Sequence, residues 1–270
     1  KICSTLPSGK IDKDTEIKFL DTKGRQCNFL SAVCGTYYTL YLISPQYDNK
    51  SPQLALVYQG ENNGRPLFLN IGNSHPVELF GGRLNAASID SKGSILIITD
   101  IVFKSPLSPI KPSCLPNNER AICLGCCDDF IIALSSSGKV YECDISNKSN
   151  ISTFSEVTEL KNINCIHVSG AFTHCFVVTK DGHVYGRGSN ENGKLGLGQS
   201  VKKGDKFTEI SSLNDKKIIQ ASAGRFHSLF LCNDGKIYGC GLNNAGSLML
   251  KSGNSINVTF LPIETSITSG

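Results

Sequence analysis

The chain holds 270 residues, 40% of them apolar, with 26 glycines, 12 cysteines and no tryptophan. Its 27 basic and 23 acidic side chains leave a net charge of +4, far from the strongly basic profile of a dedicated nucleic-acid binder. The longest apolar run, Ser94 to Phe103, is broken by Asp100 and is too short to span a bilayer.

The apolar content is enough for a sizeable core. Short apolar runs punctuated by glycine predict many strands and turns, an all-β chain. Most cysteines lie within strand-like runs such as Cys175-Phe176-Val177-Val178, where a free thiol packs as a small hydrophobe. They read as reduced, which places the chain in the cytoplasm or nucleus. Sequons at Asn49, Asn147, Asn150 and Asn257 point weakly the other way, to a secreted inhibitor or lectin-like protein. The first residue is Lys1, so the chain reads as a fragment or processed product, and no signal-peptide pattern follows.

One unit recurs along the chain. The first copy begins at Val33-Cys34-Gly35 and runs through Tyr38, with Leu54 to Tyr58 as its return strand beyond a loop at Pro45 to Pro52. The second spans Asn85 to Ile95 with Gly93; the third runs from Phe130 to Tyr141 with Gly138. The fourth, Val168 to Gly188, carries His174, Asp181-Gly182 and Val184-Tyr185-Gly186. The fifth, Ala221 to Gly241, carries His227, Asp234-Gly235 and Ile237-Tyr238-Gly239. In the last four copies the anchor residue precedes the turn glycine by eight positions. Asp-Gly favours a two-residue hairpin turn, so each unit predicts a hairpin with a further strand on each side. The anchors Tyr38, Asn85, Phe130, His174 and His227 are 47, 45, 44 and 53 residues apart. A period near 45 fits a four-stranded propeller blade. The tail Ile267 to Gly270 and the segment Cys3 to Ile11 read as two parts of a further copy. The expectation is one domain over 1–270, a propeller of six antiparallel blades closed by pairing of the N- and C-terminal segments. A seven-bladed ring lacking a blade is the alternative.

His174, Asp181-Gly182, Val184-Tyr185-Gly186 and the loop Asn190-Glu-Asn-Gly193-Lys-Leu195-Gly196 together closely resemble the repeat of the regulator of chromosome condensation family. Cys34-Gly35, Gly224 with His227, and Gly241 to Leu248 fit further parts of that pattern. The resemblance implies a seven-bladed propeller and a protein partner. It implies either a non-catalytic interaction module within a larger protein or, alternatively, guanine-nucleotide exchange on a Ran-like small GTPase with chromatin association. The family's plant ultraviolet-B photoreceptor absorbs light through tryptophans, which this chain lacks.

Other signals weigh less. Gly188 to Lys194 has the glycine spacing of a phosphate-binding loop, but Leu195 stands where a magnesium ligand belongs. Cys123-Leu-Gly-Cys126 lacks the second pair of a zinc site. A position that holds His174 and His227 in two copies and Phe130 in a third does not call for proton transfer. The lysines from Lys194 to Lys217 are interleaved with acids, a solvated loop. The reading is therefore no catalytic residue, metal, cofactor or membrane contact; a weak contact with DNA or chromatin stays open. Just ahead of the anchors, at the expected strand mouths, stand Arg83, Phe172, Arg225 and Phe226. Arginine and aromatic residues are hot-spot types, and these four are the expected partner surface.

Overall fold

The structure, a computed structural model, describes residues 25–46, 52–58, 67–99, 101, 111–147, 150–198, 200–243, 246–248 and 256–263. These form five four-stranded antiparallel sheets, each built in chain order. The first holds β1 (Cys27–Cys34), β2 (Tyr38–Pro45), β3 (Gln53–Tyr58) and β4 (Leu67–Phe68). The second holds β5 (Pro76–Gly81), β6 (Ala86–Asp90), β7 (Ile95–Ile98) and β8 (Lys111–Ser113). The third holds β9 (Ala121–Cys126), β10 (Phe130–Ser135), β11 (Val140–Asp144) and β12 (Ser155–Glu156). The fourth holds β13 (Cys165–Ala171), β14 (His174–Thr179), β15 (Val184–Ser189) and β16 (Lys203–Glu209). The fifth holds β17 (Ile218–Ala223), β18 (His227–Cys232), β19 (Ile237–Leu242) and β20 (Ile256–Ile263). The sixth blade expected from 3–11 and 267–270 falls outside the described residues. Among the described residues, no helix is long and apolar enough to cross a membrane.

The middle strands are continuous apolar runs because both of their faces are covered. Alternate residues of a strand point to opposite faces. Along β10, Ile131 and Ala133 pack with Ile89, Ile95 and Ile97 of the second blade. Ile132 and Leu134 pack with Val168, Cys175 and Val177 of the fourth. Along β14, Phe176 and Val178 turn the other way, onto Phe230 and Tyr238 of the fifth. Four of the five hydrophobic clusters among the described residues are therefore shared by neighbouring blades, and a blade alone could not bury its faces.

The hairpins differ from the expected two-residue turn in one respect. Gly182 N–H donates to Thr179 O at 3.0 Å and Thr179 N–H to His183 O at 2.9 Å. The same pair of bonds closes the hairpins at Gly93, Gly138 and Gly235. Each is a type I turn followed by a left-handed residue that forms a bulge, with Gly182 at φ +95° and Gly235 at +84°. The glycine supplies the bulge position, a conformation that any side chain would strain.

The first strand of each blade lies against the first strands of its neighbours. Each also carries a register shift near its start, at Leu30, Val77, Ile122, Ile166 and Ile219. All five shifted residues are aliphatic and exposed. At the other end of these strands lie the short turns into the second strands, and there the anchors stand.

Candidate interaction face at the anchor turns

Each anchor closes the turn ahead of it. Gly35 N–H donates to Tyr38 O, Gly82 to Asn85, Cys127 to Phe130 and Gly224 to His227, at 2.8–2.9 Å, while Ala171 and His174 form a strand pair. The anchors thus hold equivalent backbone positions. Their side chains tie successive blades together. Tyr38 OH donates to Gly82 O and Asn85 O, at 3.1 and 2.6 Å. Asn85 Nδ2 donates to Cys127 O and Asp128 O, at 3.2 and 3.1 Å. His174 Nε2 meets Ser228 Oγ at 2.9 Å. Phe130 lacks a polar atom; there the Cys127 thiol spans the junction instead, donating to His174 O at 3.4 Å.

The hydrogen-bond chemistry fixes the state of His174. Ser228 Oγ spends its one proton on Lys194 O at 2.7 Å, so His174 Nε2 must carry the proton between them. His174 Nδ1 is then a buried lone pair without a protein partner. Burial first, then the nearby charges of Lys194 and His227, lower the His174 pKa to about 3. His227 is also shifted down by burial. Both rings are held towards the neutral form by burial. The bond accepted by Lys194 O places the near phosphate-loop within this joint: the loop folds on itself through Asn190, and the matching loop of the fifth blade through Asn243. Asn190 Oδ1 accepts from Leu195 N–H and Asn243 Oδ1 from Leu248 N–H, both at 2.9 Å.

Two places ahead of the anchors stand Thr36, Arg83, Asp128, Phe172 and Arg225, one from each blade. Backbone bonds join them: Thr36 N–H donates to Arg83 O at 3.0 Å and Asp128 N–H to Phe172 O at 2.7 Å. Two of the five, Arg83 and Arg225, converge on the ring of a third, Phe172. The Arg83 guanidinium lies 4.6 Å from its centroid and that of Arg225 5.2 Å away. Arg225 also lies 4.7 Å from the Phe226 ring, and the two rings are 6.3 Å apart. Arg83 Nε donates to both Asp128 carboxylate oxygens, at 3.1 and 2.9 Å. Arg83, Phe172, Arg225 and Phe226, from three blades, therefore make one half-exposed cluster. Phe172 holds a left-handed φ of +55°, a strained conformation for a residue with a large side chain.

Two members of this cluster escaped the sequence reading. Asp128 occupies the same repeat position as its neighbours, a signal blurred because the third copy is degenerate. Lys194, expected from the sequence to lie in a solvated loop, is instead fully buried. Its Nζ donates to Thr173 Oγ1 at 2.9 Å and lies 5.8 Å from the Phe172 centroid. Burial lowers its pKa, while Glu191 and Asp128 act against that shift. The phosphate-loop-like spacing around it does not announce this role, because its environment is assembled by the fourth blade's own turn.

A cleft of 390 Å³ opens beside Phe172 and Thr173, between the third and fourth blades. It shares Asp129, Phe130 and Arg187 with a second cleft of 320 Å³ lined by Glu142 and Asp144. Arg187 forms the wall between them, paired with Glu142 and placed over the Phe130 and Phe207 rings at 5.1 and 5.7 Å. The Cys-x-x-Cys thiols diverge: Cys123 Sγ points to Val168 O of the fourth blade and Cys126 Sγ to Phe80 O of the second. Residues three apart on a strand face opposite sides, so the two cannot share an ion. Among the described residues the cysteines are free.

The regulator of chromosome condensation repeat matches residues 181–231, and a second form of that repeat matches 218–247. Those matches fall on the fourth and fifth blades, and the same architecture recurs in solved propellers. The crystal structure of Prp20p from Saccharomyces cerevisiae, a protein described with binding properties to Gsp1p and histones, superposes with a TM-score of 0.68 at 13% identity. That match covers 90% of this chain and 64% of Prp20p. The chain is a β-propeller that carries regulator of chromosome condensation repeats. Curated relatives include the ultraviolet-B receptor UVR8 of Arabidopsis thaliana, 28% identical over 195 residues (68% of this chain, 43% of the receptor). Another is the E3 ubiquitin-protein ligase HERC2 of Mus musculus, 37% identical over 105 residues (38% of this chain, 2% of the ligase). The chain spans less than half the length of these relatives.

Proposed function

We propose that this propeller is a non-catalytic protein-interaction platform, carried within a larger protein, that docks its partner on the anchor-turn face. The observation that carries the reading is the convergence of Arg83, Phe172, Arg225 and Phe226 from three blades on one half-exposed spot. A rigid scaffold that presents arginine and aromatic groups on its turns has the composition of a binding hot spot. Residues 1–270 act as one domain in this reading, and the free thiols favour a cytoplasmic or nuclear setting. The test is a comparison of proteins retained from native lysate by the wild-type chain and by Arg225→Ala/Phe226→Ala. Partners retained by the wild type and lost by the variant support the platform. An identical retained set refutes this face.

A second reading is guanine-nucleotide exchange on a Ran-like small GTPase with chromatin contact. It is favoured by the shared fold with Prp20p. Exchange needs no covalent chemistry, only tighter binding of the nucleotide-free GTPase. Release of a fluorescent guanine nucleotide from a Ran-type GTPase, unchanged by micromolar propeller, would reject it.

A further inference from the structure

We infer that the Phe172 cluster seats a carboxylate-rich segment of a protein partner, with Arg225 as the group that grips it. The inference rests on the platform reading and adds the partner's chemistry. The cluster's charges decide it. Arg83, Lys194 and Arg225 gather around one ring, and Asp128 is spent on Arg83. Glu191 is the other carboxylate that acts on Lys194. Arg225 is exposed and has no carboxylate partner among the described residues. Lys194 is buried, so its charge is felt at the cluster through protein instead of water.

The geometry prepares Arg225 for this role. Its guanidinium is placed against the faces of Phe172 and Phe226. Such stacking orders the side chain before binding and leaves the N–H edge free to fork a carboxylate. Phe172, held at positive φ, fixes the platform on which both arginines rest. The apolar ring area between them suits an aliphatic or aromatic neighbour of the acidic residue. A nucleic-acid backbone fits less well. It needs a track of cations, and this is a single compact cluster on a chain of net charge only +4.

Selection from a random peptide display library with the full chain tests the inference, run in parallel on wild type, Arg225→Gln and Lys92→Gln. Lys92 is an exposed cation beside the β6–β7 turn, so its variant removes the same charge elsewhere. Wild type and Lys92→Gln should enrich Asp- and Glu-rich peptides. Arg225→Gln should bind the selected peptides about tenfold more weakly, as expected for loss of one charge-assisted contact. Both variants should melt with the wild type, since both sites are exposed. Enrichment of neutral or basic peptides, or equal binding by Arg225→Gln, overturns the acidic seat and leaves the platform standing. No enrichment above bare matrix overturns both. Competition by duplex DNA of matched charge at equal potency reassigns the cluster to phosphate and overturns the inference.

Discussion

Replacing His174 by glutamine should make this protein resist acid. In the folded chain His174 Nε2–H donates to Ser228 Oγ, and the bare Nδ1 has no partner to welcome a second proton. Its pKa falls to about 3 from an ordinary value of 6.5. Between those values the unfolded chain binds the extra proton and the folded chain does not. Stability is therefore complete above about pH 6.5 and is lost as the pH falls towards 3. At pH 4.5 this one ring costs about 2.7 kcal/mol, two pH units below its unfolded pKa at about 1.36 kcal/mol each. Glutamine keeps a donor near the Nε2 position and cannot take a proton in this range. Asn85 shows that an amide serves at the equivalent position. The variant should lie within about 1 kcal/mol of wild type at pH 7.5, given one retained hydrogen bond. At pH 4.5 it should gain about 5–10 °C in Tm on wild type relative to that baseline. Thermal melts of both proteins at the two pH values supply the measurement. His167 and His227 are common to both and cancel. Parallel pH dependences would show that His174 is not held neutral by the joint, and the tautomer argument would fail.

Gly188→Ala should cost more than about 2 kcal/mol, because Gly188 sits at φ +110° and a Cβ there would stand 2.2 Å from Thr173 O. Gly235→Ala, at φ +84° with open space around it, should cost only about 1 kcal/mol; urea titration of the pair separates collision from conformational strain. Phe176→Ala should cost about 3–5 kcal/mol by the same assay, since the ring is fully buried and meets Phe230 edge-on at 4.9 Å. Alkylation at pH 7.5 followed by peptide mapping should label Cys34 and Cys114 first among the described cysteines, as these two are exposed. Cys126, buried and pushed up to about 12, should react only on unfolding; early labelling there would contradict the packing between blades.

The repeat is legible in the chain because each blade must solve the same problem. Its two middle strands are covered on both faces, so they read as Phe130 to Leu134 or His174 to Val178, and a glycine eight residues after the anchor permits the bulge that turns them back. That pattern alone marks out the last four blades and the matching places of Asn85, Phe130, His174 and His227, and Tyr38 lies one period ahead of them. What it leaves open is how unlike residues at one repeat position act when brought together. Arg83, Asp128, Phe172 and Arg225 are separated by about a blade of sequence each, yet they meet because the first strands of successive blades lie side by side. The lysine beneath them belongs to a loop whose spacing looks like a poor nucleotide motif. Its role depends on Thr173 and Phe172 lying beside it. Local sequence determines the strands and turns, since backbone geometry and hydrophobic alternation act over a few residues. The charge and shape of the anchor-turn face come only from packing blade against blade, which sets side chains from distant repeats a few ångströms apart.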